Sequence, residues 1–219
     1  MRLNANDAQA HDNLGRFITL EGGEGAGKST QIARLAERLK ARREVVTTRE
    51  PGGSPGGEMI RKLLVEGPAE RWDGTTEALL HFAARRDHLR STVWPALEHG
   101  AWVISDRFAD STRAYQGWGH GLDLATLERL YDVAVGVFRP DLTLILDLPV
   151  EAGLARAAAR RGAETRYESL PRDFHERVRD GFLTIARNEP ERCAVIDASR
   201  DIEAVAASIA RVVAERLGA

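Results

Sequence analysis

The 219-residue chain holds one cysteine, two methionines and no apolar run near the ~18 residues that a membrane-spanning helix needs. With Cys193 alone there is no internal disulfide, and its place in the apolar stretch Cys193-Ala194-Val195-Ile196 predicts a buried, reduced thiol rather than a nucleophile. Without a spanning run, the expectation is a soluble, cytoplasmic protein with no membrane partner. A charge excess is also missing. The 31 basic and 33 acidic residues nearly cancel, so no general affinity for nucleic acid is expected and any anion site must be local. Residues Met1 to Gly15 lack both the apolar core of a secretory signal and the Arg-rich amphipathic pattern of a transit peptide. They read as a flexible extension (1–15) ahead of a single domain (16–219).

Five short apolar segments have strand character: Phe17 to Leu20, Val45 to Thr48, Trp102 to Ser105, Leu142 to Asp147 and Ala194 to Asp197. Helical patterns fall between them, among them Thr75 to Leu97 and Ile202 to Leu217. Crossovers of that length predict an α/β fold, a five-stranded parallel sheet of buried strands with helices on both faces. Polar residues follow the strands at Glu21, Arg49-Glu50, Asp106-Arg107 and Asp147, at the sheet edge where such folds place their ligand crevice.

Between the first strand and the next helix lies Gly22-Gly23-Glu24-Gly25-Ala26-Gly27-Lys28-Ser29, a complete G-x-x-x-x-G-K-[ST] phosphate loop followed by Thr30. Its glycines permit positive φ, so successive N–H groups can converge on phosphate oxygens. Lys28 can reach the terminal phosphates and Ser29 can ligate Mg²⁺; the helix N-terminus adds partial positive charge. A nucleoside triphosphate is the implied ligand.

Other strand ends supply a second set of groups. Arg49 lies in Thr48-Arg49-Glu50-Pro51-Gly52-Gly53, and Asp106-Arg107-Phe108 pairs a carboxylate suited to Mg²⁺ or its waters with a second guanidinium. Two arginines could clamp one phosphate; the alternative is that they form ion pairs with Glu50 and Asp106. Ser111 to Gly117 offers hydroxyls, the Gln116 amide and the Tyr115 ring. Phe82 and Arg86, four residues apart on the long helix, share a face and could hold a flat base, unless Phe82 is core and Arg86 a solvated charge. Arg156, Arg160, Arg161, Arg166 and Arg172 crowd a region with Gly162 and Pro171. This reads as a mobile basic lid around 156–172 that could close over the triphosphate.

From Arg16 onward these motifs resemble bacterial thymidylate kinases, whose T-R-E-P-G-G, F-x-x-x-R, D-R-[FHY] and S-T-x-A-Y-Q-G elements are similar to Thr48 to Gly53, Phe82 to Arg86, Asp106 to Phe108 and Ser111 to Gly117. The resemblance implies a P-loop kinase fold, a homodimer, and transfer from ATP with Mg²⁺ to dTMP. It implies that Phe82 stacks on thymine, Arg86 bonds the base carbonyl edge, and Arg49 and Arg107 hold the acceptor phosphate. Glu24 would meet the sugar 3′-hydroxyl, Tyr115 would crowd the 2′ position, Ser111 and Gln116 would contact the base, and Ser29 and Asp106 would serve the metal. With glycine at position 25 the chain resembles the type whose catalytic arginine lies in the lid, the candidates being Arg160, Arg161 and Arg166, beside Lys28 and Arg107. Two departures stand out: Arg85 replaces the usual acid before Arg86, and Thr165-Arg166-Tyr167-Glu168 replaces D-R-[IF]-E. Rival readings are a P-loop kinase with another acceptor, and a nucleotide-dependent switch, which would have no second phosphate to hold.

Overall fold

The computed structural model describes residues 15–159 and 166–218. Five strands, β1 (Phe17–Glu21), β2 (Val45–Arg49), β3 (Trp102–Asp106), β4 (Leu142–Asp147) and β5 (Cys193–Asp197), form one parallel sheet in the order β2-β3-β1-β4-β5. Each expected strand is present. β2 and β5 are the edge strands, so residues of both are partly exposed, contrary to the expectation of five buried strands; Val195 is half-exposed.

Strand alternation divides the core between the two faces. Ile18 and Leu20 join Ile104, Leu142, Leu144 and Ile196 under α1 (Lys28–Lys40) and the C-terminal helix, Ile202–Leu217, which contributes Val205, Ile209 and Val213. Phe17, Val103 and Phe108 face the other way, against Phe82, Leu89, Leu127 and Tyr131. Ile145 and Cys193 pack with Phe174, Val178 and Phe182. Burial pushes the Cys193 thiol up to about 12, which keeps it protonated and unreactive.

α2 (Pro55–Val65) begins at Ser54, whose side chain accepts from the Gly57 N–H, with Pro55 at the first helical position. The long helix foreseen over 75–97 has three parts. α3 (Gly74–His88) is capped by Asp73, a π-helical turn follows over Leu89–Val93, and α4 (Trp94–Glu98) ends the run. The wide turn comes directly before Pro95, which has no N–H to donate. After β3, α5 (Ala109–Thr112) widens into a second π-helical stretch, Arg113–Gly119. Helical periodicity is weak in that glycine-interrupted segment, and the sequence did not reveal it. α6 (Leu124–Ala134), α7 (Val150–Ala158), α8 (Arg172–Asn188) and α9 (Ile202–Leu217) complete the layers.

Leu144 is fully buried in the interior strand β4. Leu144→Ala is expected to cost about 2–5 kcal/mol, read as a lower urea midpoint with an unchanged slope.

Candidate active site

The phosphate loop leaves β1 and enters α1 through Gly27, whose φ of 88° sets the N-cap without any side-chain cap. The first N–H groups of α1 therefore have no capping side chain. Thr30 is exposed in this first turn. Gly25, at φ 66°, lies so close to α7 that a Cβ would sit 2.0 Å from the Gly153 carbonyl oxygen. This packing leaves no room for a side chain at position 25. Lys28 bends back to donate to the carbonyl oxygens of Gly22 (3.2 Å) and Gly23 (3.0 Å). Burial, and then the nearby Arg107 charge, pull its pKa down to about 8.

Parallel register sets the adjoining strand ends beside the loop: Leu20 pairs with Asp106, and Asp106 with Arg49. The Ser29 hydroxyl donates to Asp106 Oδ2 at 3.0 Å, which brings together two hard oxygen ligands from α1 and β3. They fit a Mg²⁺ ion that takes its remaining ligands from phosphate and water. Among the described residues no cluster of three or more His, Cys, Asp or Glu could hold a metal by itself.

Arg107 adopts φ 72°, a left-handed conformation unusual for a residue with a side chain. It is held there by its N–H bond to Leu20 O (3.0 Å) and by the Ser105 hydroxyl, which donates to its carbonyl (2.7 Å). The guanidinium consequently turns over the loop. It donates at 3.0 Å to Gly22 O, Ser111 Oγ, Glu24 Oε1 and the Tyr115 hydroxyl oxygen. Tyr115 in turn donates to Glu24 (2.7 Å). Burial alone would raise the Glu24 pKa, but Arg107 and Lys28 outweigh it and hold the carboxyl at about 2. Beneath this cluster Glu21 accepts from Phe108 N–H (2.7 Å) and the Ser111 hydroxyl (2.6 Å); burial, then the Asp110 charge, push it up to about 8.

The simpler pairings considered from sequence do not form. Arg49 bonds Glu58 (2.9 Å), and Glu50 is taken by Arg85 (2.8 Å) and His88 (2.9 Å). Arg107 pairs with Glu24 rather than Asp106.

The base-side expectation needs a correction of one residue. Phe82 is buried edge-on to Tyr131, and Arg86 lies over the Trp94 ring and donates to Ala134 O, so both face the α6 side of α3. His81 lines the cavity instead, and Arg85, four residues on, is fully buried and bonded to Glu50 and Thr112 (3.0 Å). The sequence held a signal for this in the doublet Arg85-Arg86, which offers an arginine in either register. Burial and the Arg85 charge bring His81 down to about 4, so its ring is neutral near pH 7. Its Nε2 lies 3.2 Å from the Tyr167 hydroxyl. Among the described residues four buried side-chain atoms have no hydrogen-bond partner: Arg85 Nη1 and Gln116 Oε1, and elsewhere Gln31 Oε1 and His175 Nε2.

Of the lid arginines, Arg160 and Arg161 lie outside the described residues. Arg166 is buried and locked: it pairs with Glu77, and donates to Leu64 O and Pro68 O, both at 3.1 Å. This corrects the expectation that Arg166 sits on a mobile lid, because a guanidinium with these partners is fixed in place. Glu77, which the sequence did not single out, is fully buried.

A cavity of about 670 Å³ joins these parts. Its wall includes Glu24 to Ser29, Arg49, Asp106, Arg107, Ser111, Tyr115, Gln116, His81 and Tyr167. A phosphate loop facing paired arginines across one cavity, at the carboxyl edge of a parallel sheet, defines a small P-loop phosphotransferase. Residues 20–209 match the sequence model of the thymidylate kinase family. The chain is 58% identical over 205 residues to the thymidylate kinase of Caulobacter vibrioides, covering 93% of this chain and 98% of that one. It is 57% identical to that of Rhodopseudomonas palustris strain TIE-1, covering 93% and 90%. The crystal structure of the Ehrlichia chaffeensis thymidylate kinase superposes with a TM-score of 0.73 at 37% identity, covering 91% of this chain and 98% of that one. The chain belongs to the thymidylate kinase family.

Two tests follow from the loop. Lys28 with a pKa near 8 is charged below that pH, so the affinity of the free protein for ATP should fall as pH rises through about 8, measured by titration calorimetry from pH 7 to 9.5. Gly25→Ala should reduce ATP affinity about tenfold or more, since the loop must shift away from Gly153.

Proposed function

We infer that the protein transfers the γ-phosphoryl group of ATP to dTMP, giving ADP and dTDP for dTTP synthesis. The observation that carries this reading is the single cavity in which Lys28, Ser29 and Asp106 share a wall with Arg107, Arg49, His81 and Gln116. One nucleotide can lay its phosphates on the loop while a second places a phosphate at the arginines.

The chemistry asks little of a base. A dTMP phosphate oxygen, already anionic, forms a bond to the γ-phosphorus as the bond to the β–γ bridging oxygen breaks, and ADP leaves with that electron pair. The protein aligns two mutually repelling anions and neutralises charge. Lys28 exchanges its contacts with Gly22 and Gly23 for terminal phosphate oxygens. Arg107 and Arg49 hold the acceptor phosphate, and Ser111 supports Arg107. Ser29 and Asp106 would hold a Mg²⁺ ion, which would supply further charge neutralisation to the triphosphate. Glu24 accepts the sugar 3′-hydroxyl, and Tyr115, anchored on Glu24, fills the space a 2′-hydroxyl would need. The roles first expected of Phe82 and Arg86 pass to His81, as the wall of the base pocket, and to Arg85, as the donor to the base carbonyl.

Arg160 and Arg161 remain the lid residues proposed to close on the triphosphate, with Arg166 as the anchor of that segment. Residues 16–219 are read as one catalytic domain following the N-terminal extension. A homodimer through the flanking helices accords with the exposed apolar side chains of Met59, Leu79 and Val133. No helix among the described residues is long and apolar enough to cross a membrane. A cytoplasmic location accords with Cys193 as a free, buried thiol.

The direct test is ADP formation across a panel of nucleoside monophosphates. Strong preference for dTMP is expected; slow phosphate release with no stimulation by dTMP would sink the reading. Arg107→Ala should lower turnover about 100-fold or more while leaving ATP affinity within a few-fold, and unchanged turnover would remove Arg107 from the clamp.

A further inference from the structure

Arg85 Nη1 is a buried donor without a partner, and Gln116 Oε1 a buried acceptor without one. Gln116 lines the cavity, whereas Arg85 is buried behind the wall, bonded to Glu50, which also lines it. Arg85 is four residues along α3 from His81 and is bonded to Thr112, four residues before Gln116. An amide can present either end, so its orientation decides what it reads. Here one neighbour decides it. Glu77 Oε2 takes the Gln116 Nε2 donor at 2.8 Å, while its other oxygen takes Arg166. Burial would raise the Glu77 pKa, but hydrogen bonds from His120, Arg166 and Gln116 hold it at about 2. The carboxylate is thus ionised at working pH and can only accept. Gln116 must turn its NH₂ toward Glu77, which leaves the carbonyl oxygen as its free end.

We propose that Glu77 is a positioning residue for base selection: it locks the Gln116 amide so that, with Arg85, the pocket offers one acceptor and one donor to the base edge. This rests on the dTMP kinase reading. A base that satisfies both groups carries a ring N–H beside a carbonyl oxygen, as thymine and uracil do at N3 and C4. Cytosine carries the reverse, a bare ring nitrogen beside an amino group. It would set acceptor against acceptor and donor against donor, a double mismatch in a buried site.

Glu77 also anchors Arg166 and Tyr167, so the test must separate selection from general support. The readout is the ratio of kcat/KM for dTMP to kcat/KM for dCMP. In Glu77→Gln the side chain can donate as well as accept, which frees Gln116 to turn. The ratio should fall at least tenfold, with KM for ATP within twofold of wild type. Glu77→Asp, which keeps an acceptor-only group, should retain a ratio within threefold of wild type. Because Glu77→Gln strands the buried Arg166 charge and can unfold, the pair Glu77→Gln with Arg166→Met carries the same expectation without that charge. A purely supportive Glu77 would slow both acceptors equally; a ratio within twofold of wild type in the folded glutamine variants overturns the proposal. A wild-type protein with no dTMP-dependent ADP formation would instead overturn the kinase reading, and this inference with it.

Discussion

The parallel pairing of β1 with β3 on one side and β4 on the other is the constraint from which the site follows. It ends β3 opposite Leu20 and carries β4 past Ile145, the partner of Glu21, to Asp147. Asp106 is thereby placed opposite Leu20, within reach of Ser29 on α1, and Arg107, the next residue, is forced into a turn over the loop. A shift of register by one residue would exchange the faces on which Glu21, Asp106 and Arg49 emerge and would separate Ser29 from Asp106. The left-handed backbone at Arg107 is tolerated because two hydrogen bonds, from its own N–H and to its own carbonyl, secure the peptide on either side.

Electrostatics in the cavity suit a highly anionic ligand. Burial first, and then the Arg107 charge, depress the Lys28 pKa, and bound phosphates would offset both. Glu24 partly compensates, and its own pKa is held low by the same two cations. An arrangement of this kind favours a highly charged ligand without making the whole protein basic, which reconciles the near-neutral composition with a function that handles polyphosphates.

On the base side, buried charge serves geometry. The Glu77–Arg166 pair costs desolvation that a hydrophobic pair would not, so its presence is poorly explained by stability alone. It ties Arg166 to carbonyls of Leu64 and Pro68, which lie far earlier in the chain, and fixes Tyr167 against Tyr115 and near His81. The end of the lid segment therefore forms a wall of the cavity.

What could be read in the chain was whatever depends on local pattern. The phosphate loop, the five strands and the amphipathic C-terminal helix are local, since backbone preference and apolar period act over a few residues. Two features were settled only by packing. Both His81/Arg85 and Phe82/Arg86 place a ring and a guanidinium four residues apart, and one residue of helix is a rotation of about 100°, so the sequence alone could not say which pair faces the ligand. Phe82 lost that place because Tyr131 of α6 covers it. Arg166 had the makings of a mobile catalytic arginine until the fold brought Glu77 and two distant carbonyls against it. Residue chemistry marked out the phosphate loop; the tertiary contacts of α3 decided which of its faces lies toward the cavity, because only burial tells one face of a helix from another.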